Sequence, residues 1–260
     1  LSDFCEAGLA AKTPSSSSNH LVKILYAATI ERLLRLHEEE IYMIQAIVFD
    51  MDGLLVDSEP RWHDARAALF SDHGLEWTEA NSRQTMGVST EEWVNYMVSL
   101  SQGRLTSAQA LDGVLARLVA GYRQEVPLTP GAQEMIDALH GRYRLAVASG
   151  SHPRLLKAVL DGTNWDVMLE YVVSSDEVAQ GKPAPEIYLE TARRLGVPPA
   201  ACGVFEDSEF GIQAGAAAGM QVIAVPNSHM RPSDEALADA ALVLESLVEF
   251  HPTMLEHLPQ

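Results

Sequence analysis

Cysteine is scarce in this chain: Cys5 and Cys202 are far apart, and there are no others. That excludes a disulfide framework and a cysteine-based zinc site, both of which need paired or closely spaced thiols. It fits a reducing compartment, and a cytoplasmic location is expected. Cations are scarce too. Lys+Arg number 18 against 36 Asp+Glu, a formal net charge of -18 in 260 residues. Nucleic acids and anionic membranes bind to clustered cations, so neither is an expected partner. No apolar run approaches the ~20 residues needed to cross a bilayer. There is no internal repeat, and no low-complexity tract beyond the serines at 15–18. The hydrophobic share, 47%, is ordinary for a globule, and the length suffices for one sizeable core plus a smaller domain.

The short apolar run Ala46 to Phe49 ends in two carboxylates, Asp50 and Asp52, with Gly53 directly after. Such a run reads as a buried parallel strand, and in open α/β sheets ligands sit beyond the carboxyl ends of these strands. A carboxylate pair there suits a nucleophile with a general acid/base, a hard-metal site, or both. Three later segments share the setting. Leu145–Ala148 leads into Ser149-Gly150-Ser151 and a helix from Pro153, which makes an anion site of hydroxyls and free N–H groups. Gly181-Lys182-Pro183-Ala184-Pro185-Glu186 is a rigid turn that presents one lysine before a helix. Cys202–Phe205 runs into Glu206-Asp207-Ser208 and then the small-residue stretch Gly211 to Gly219. Taken singly, each is ordinary: a turn, a loop, a solvated lysine, a helix cap with acids favoured by the dipole. Their order at successive strand ends, acid then hydroxyl then lysine then acid, is what points to one site.

With those motifs in place, the chain from about Met43 to about Pro252 resembles the haloacid dehalogenase superfamily phosphatases with a small helical cap. FDMDGLLVDSEP, VASGS, GKPAPEIY and FEDSEFGIQAGAAAGM stand as its four motifs. The wording near DSEPRW is closest to 2-deoxyglucose-6-phosphatase, hexitol-phosphatase and β-phosphoglucomutase-like members. The resemblance implies an α/β fold, a Rossmann-like parallel sheet with an inserted helical cap. It also implies Mg²⁺-dependent hydrolysis of a small sugar or polyol phosphate through an aspartyl-phosphate. By family position Asp50 would attack phosphorus, and Asp52 would protonate the leaving alkoxide and then deprotonate water. The metal would be held by the Asp50 carboxylate, the Asp52 carbonyl and Asp207, with Glu206 near or through water. Ser149, Gly150 and Lys182 would bind phosphate, Lys182 also serving Asp50. Trp62 and the cap loop Met86, Gly87, Val88 and Ser89 would meet the leaving group. His63 and His152 stand as further candidates, each equally readable as a solvated helix position. Where a mutase carries an arginine after Gly-Val-Ser, Thr90 stands here, which favours hydrolysis over mutase chemistry. A β-phosphoglucomutase-type phosphosugar mutase, a phosphoglycolate phosphatase and a non-catalytic metabolite- or protein-binding member remain the alternatives. The expected partner is a small phosphorylated metabolite, and the expected state a monomer or weak dimer.

Apolar spacing predicts helices over Arg61–His73, Thr90–Leu100 and Ser107–Arg123, punctuated by Gly74, Gly87 and Gly103. The expected organisation is therefore a core of 43–57 plus 127–252, a cap at 58–126 and a tail at 253–260. Leu128-Thr-Pro-Gly131 marks the return to the core, after which helix and strand alternate. Residues 1–42 hold an amphipathic-looking stretch at 21–40 that ends His37-Glu-Glu-Glu40. Three adjacent glutamates are unlike a targeting peptide. Met43 is expected to be the natural start, 1–42 an upstream extension, and His37–Glu40 a solvated face.

Overall fold

Strand β1 (Ala46–Phe49) is apolar at every position because both of its faces are covered. Ile47 and Phe49 pack with helices α5 (Ala132–Leu139) and α6 (Pro153–Thr163); Ala46 and Val48 pack with α7 (Glu186–Leu195) and α8 (Glu209–Ala217). This is the period-two alternation of a central strand between two helical layers. The description comes from a computed structural model and covers residues 43–227 and 230–258. The expectations for Cys5, the 21–40 helix, His37–Glu40 and the 1–42 extension lie outside the described residues.

Six strands form one parallel sheet in the order β3-β2-β1-β4-β5-β6. The flanking strands are β2 (Arg144–Ser149), β3 (Tyr171–Ser174), β4 (Cys202–Glu206), β5 (Gln221–Ala224) and β6 (Leu242–Val243). The chain winds outward from β1 through β2 to β3, then returns to the other side of β1 at β4. The crevice for a ligand therefore opens beyond the carboxyl ends of β1 and β4. The α/β Rossmann-like class expected from the motifs is the fold observed. Cys202 opens β4 fully buried, and burial pushes its thiol up to about 12.

Between β1 and α5 the chain forms a helical insert: α1 (Glu59–Asp72), α2 (Glu79–Arg83), α3 (Thr90–Leu100) and α4 (Ser107–Tyr122). Apolar periodicity located three of the four within two residues at either end. Helix α1 begins before Arg61 because Pro60 fits a first turn, where its missing N–H costs nothing. Helix α2 is too short for periodicity to show and is set by a capping box between Thr78 and Asn81. The two ends of the insert are tied by backbone hydrogen bonds, Asp57 N to Pro127 O at 2.8 Å and Thr129 N to Leu55 O at 3.0 Å. The insert thus leaves and rejoins the core at one paired neck. After 252, Pro252–His257 forms a 3-10 helix and Leu255 is buried. No helix among the described residues is long and apolar enough to cross a membrane.

Candidate active site

The carboxyl ends of β1, β2 and β4, the Lys182 turn and the insert enclose one cavity. Its wall includes Asp50, Asp52, Ser149, Gly150, Ser151, Lys182 and Asp207 from the core. Glu59, Trp62, Arg66, Met86, Gly87, Val88 and Trp93 line it from the insert side.

Asp50 follows β1 directly, its N–H bonded to the carbonyl of Phe205 in β4 at 3.0 Å. Strand pairing thus sets where its carboxylate stands. Lys182 Nζ donates to Asp50 Oδ1 and to Glu206 Oε1, each at 2.5 Å, and to the Ala148 carbonyl at 3.2 Å. An ammonium has three donors, and all three are used. Burial alone would lower the lysine pKa, but Asp50 and Glu206 outweigh it and raise it well above its usual value. Burial, opposed by Lys182 and reinforced by Glu206, pushes Asp50 up to about 7. Burial and the neighbouring carboxylates also raise Asp207.

Glu206 is fully buried and does not reach the cavity wall. Its Oε1 accepts from Lys182 and from the Tyr188 hydroxyl; its Oε2 accepts from Asp207 N, Ser208 N and Ser208 Oγ. It acts from behind, orienting Lys182 and the acidic loop. Gly211 allows this, because a Cβ there would collide with the Glu206 carboxylate. Gly53 plays a similar part. With φ +88 it turns the chain tightly after Asp52, and a side chain there would displace the carboxylate of Asp207 and the amide of Asn227. Asn227 Nδ2 in turn donates to Asp207 Oδ2 at 2.8 Å.

Asp52 bridges insert and core. Its Oδ1 accepts from Trp62 Nε1 at 3.2 Å; its Oδ2 accepts from Ser151 Oγ at 2.6 Å and Ser149 Oγ at 3.5 Å. The serine loop is pulled taut from beneath, Ser174 Oγ donating to the Ser151 carbonyl at 2.7 Å and Ser175 Oγ to that of Gly150 at 3.0 Å.

The carboxylates of Asp50, Glu206 and Asp207 each place an oxygen within 4.8 Å of the others. Three buried acids crowded this closely, two with raised pKa values, form a site that a hard cation would relieve. The donor set is all oxygen, as Mg²⁺ requires. Asp50 and Asp207 face the cavity and would hold the ion, with Glu206 behind them.

The structure brings together Asp50, Asp52, Lys182, Ser149, Gly150, Asp207, Trp62, Gly87 and Val88 from the expected set. Ser89 stands off the wall. Its hydroxyl caps α3 by accepting from Glu92 N at 3.3 Å and donating to Glu92 Oε2 at 2.7 Å. His63 pairs with Ser82 Oγ at 2.9 Å, and His152 caps α6 by accepting from Arg154 N at 3.1 Å, so neither lines the cavity. Sequence reading did not single out Tyr188, Asn227, Glu59 or Arg66 as site residues, while Ser151 entered only as part of the serine loop. Arg66 follows Trp62 by four residues, the spacing that shares one helix face, and that signal was legible. Asn227 had none, since it reaches Asp207 only through the pairing of β4 with β5. Glu59 also lies at the wall, where burial, aided by Asp52, pushes it up to about 7.

The family model for haloacid dehalogenase-like hydrolases matches residues 44–219. Among similar proteins, hexitol phosphatase B of Escherichia coli strain K12 is 33% identical over 209 residues, covering 79% of this chain and 94% of that protein. Fructose-1-phosphate phosphatase YqaB of the same strain is 32% identical over 183 residues, covering 69% and 95%. The crystal structure of CbbY from Rhodobacter sphaeroides in complex with phosphate superposes with a TM-score of 0.72 at 28% identity, covering 80% of this chain and 96% of that one. With the sheet order, the motif positions and the span of the match in agreement, the chain belongs to the haloacid dehalogenase-like hydrolases.

Proposed function

We propose that this hydrolase is a Mg²⁺-dependent phosphomonoesterase acting on a small sugar or polyol phosphate through an aspartyl-phosphate. The reading rests on one observation above all: Asp50, Asp52, Lys182, Asp207 and the Ser149–Ser151 loop converge on one cavity that the insert closes. Two relatives whose names specify hexitol and fructose 1-phosphate support the substrate class. The walls combine indole faces with carboxylate, guanidinium and hydroxyl groups, a chemistry suited to a polyhydroxylated chain.

Phosphoryl transfer needs an in-line nucleophile and neutralised charge on the phosphoryl oxygens. Lys182 holds one oxygen of Asp50, and the carboxylate attacks phosphorus as the ester P–O bond breaks. Asp52, steered by Trp62 and Ser151, passes a proton to the departing alkoxide. It then takes a proton from the water that attacks the aspartyl-phosphate, freeing phosphate and restoring Asp50. Ser149 and Gly150 bind the phosphoryl oxygens, and Lys182, whose three donors go to Asp50, Glu206 and the Ala148 carbonyl, supplies a point charge beside them. A bound Mg²⁺ would supply further charge neutralisation at those oxygens. The insert works as a cap around the leaving group, the neck at 55–57 and 127–129 serving as its base. The expected metabolite is small, the expected location cytoplasmic, and the expected state a monomer or weak dimer.

Asp50→Asn abolishes phosphate release from sugar phosphates while the melting temperature is kept, and excess chelator abolishes it in the wild type. Normal turnover by the variant, or full activity in chelator, would overturn the assignment.

A further inference from the structure

Arg66 has no part in the chemistry above, yet its setting is unusual. It is 3% exposed on α1, its guanidinium 4.5 Å from the ring centroid of Trp62, 5.6 Å from that of Trp93 and 5.9 Å from that of Trp77. It lines the cavity. It makes no hydrogen bond or ion pair with any described residue, and its Nε is buried without a partner. Burial lowers its pKa to about 10, so it stays charged at neutral pH. A buried cation without hydrogen-bonded partners costs stability. The three indole rings offset part of that cost, but they accept no hydrogen bond from its Nε.

We propose that Arg66 is a specificity-determining residue that reads the leaving group, its guanidinium donating to a hydroxyl oxygen of the substrate while Glu59 accepts from that hydroxyl or its neighbour. The ligand class is a vicinal diol of a sugar or polyol chain laid along Trp62. This rests on the phosphatase reading of the same cavity. A second anion suits the wall less well, because Glu59 and Asp52 are carboxylates on the same surface and would repel it. A diol presents donor and acceptor together, which matches one carboxylate and one guanidinium.

The test uses the full chain with Mg²⁺ and three probes: sorbitol 6-phosphate, phosphoglycolate and p-nitrophenyl phosphate. Arg66→Met keeps the bulk and removes the fork; Arg66→Lys keeps the charge alone. In Arg66→Met, kcat/KM for the hexitol phosphate falls at least about tenfold further than for the aryl phosphate, chiefly through KM. Arg66→Lys falls between, and the melting temperature of Arg66→Met is unchanged or higher. Equal losses on both probes, with a melting temperature several degrees lower, would make Arg66 a structural cation and overturn the proposal. A loss concentrated on phosphoglycolate would make it a carboxylate clamp and also overturn it. If the wild type releases phosphate from none of the three, the phosphatase reading itself falls. Aryl-phosphate turnover without any hexitol-phosphate preference refutes the diol site alone.

Discussion

Asp50 and Asp52 are chemically the same residue, two positions apart, and their partners divide the work between them. Asp50 is tied to a lysine whose remaining donors go to Glu206 and a backbone carbonyl, so its charge balance is set within the core. Asp52 is tied to an indole from the insert and to a serine hydroxyl, so it feels whatever occupies the cavity. The proposed proton-transfer role is assigned to the second environment. Asp52→Asn keeps one acceptor oxygen, for Trp62, and turns an amide N–H to the Ser151 hydroxyl, but it is not an acid. In the first turnover, before water attack contributes, it slows an alkoxide leaving group far more than a phenolate, because only the alkoxide needs protonation. Rapid-quench measurement with a hexitol phosphate and an aryl phosphate checks this; equal slowing would remove Asp52 from the acid role.

The helix ends around the cavity are set by side-chain caps. Ser208 caps α8 just after the acidic loop, its Oγ accepting from Gly211 N at 3.1 Å, and His152 caps α6 just after the serine loop. Ser89 and Glu92 form a reciprocal box at the start of α3, directly after the cavity residues Gly87 and Val88. A cap of this kind contributes by satisfying N–H groups that the helix cannot. Ser89→Ala should therefore destabilise the protein by about 1 kcal/mol. Urea denaturation measures that loss, and an unchanged midpoint would show that the box contributes nothing. The same cap explains why Ser89 does not reach the substrate cavity: its hydroxyl is committed to the helix.

The sheet order places β1 at the point where winding reverses, and the insert leaves from the loop after β1. One short segment therefore carries both Asp50, the proposed nucleophile, and the base of the helical insert. Against a formal charge of -18, the proposed anionic substrate would depend on Lys182 and a bound cation to offset the field locally. Residues 43–260 form one compact unit. A chain beginning at Met43 is expected to keep the activity of the full chain and its melting temperature within about 2 °C, a shift of about 1 kcal/mol or less for a domain of this size. Differential scanning calorimetry and a phosphate-release assay check both. A fall of several degrees would show that residues 1–42 contribute to stability.

Strand β1, its paired aspartates, the lysine turn and three insert helices were legible because each rests on local chemistry: an apolar run, a repeated spacing, a proline or glycine at a turn. The helical insert and the Rossmann-like class followed from the motifs and their resemblance to a known family. The strands β3, β5 and β6 were not located, since runs this brief acquire meaning only by pairing with a neighbour already in the sheet. What tertiary structure decided was which groups face one another. It turned Glu206 away from the cavity and behind Lys182, and it committed Ser89, His63 and His152 to helix caps and neighbouring side chains. It carried Asn227 to Asp207 across a strand pair, and it buried Arg66 among three indoles with its Nε unpartnered among the described residues. None of these follows from composition or spacing, because a side chain's partners depend on the packing of elements distant in sequence, and that packing exists only once the sheet has closed around β1.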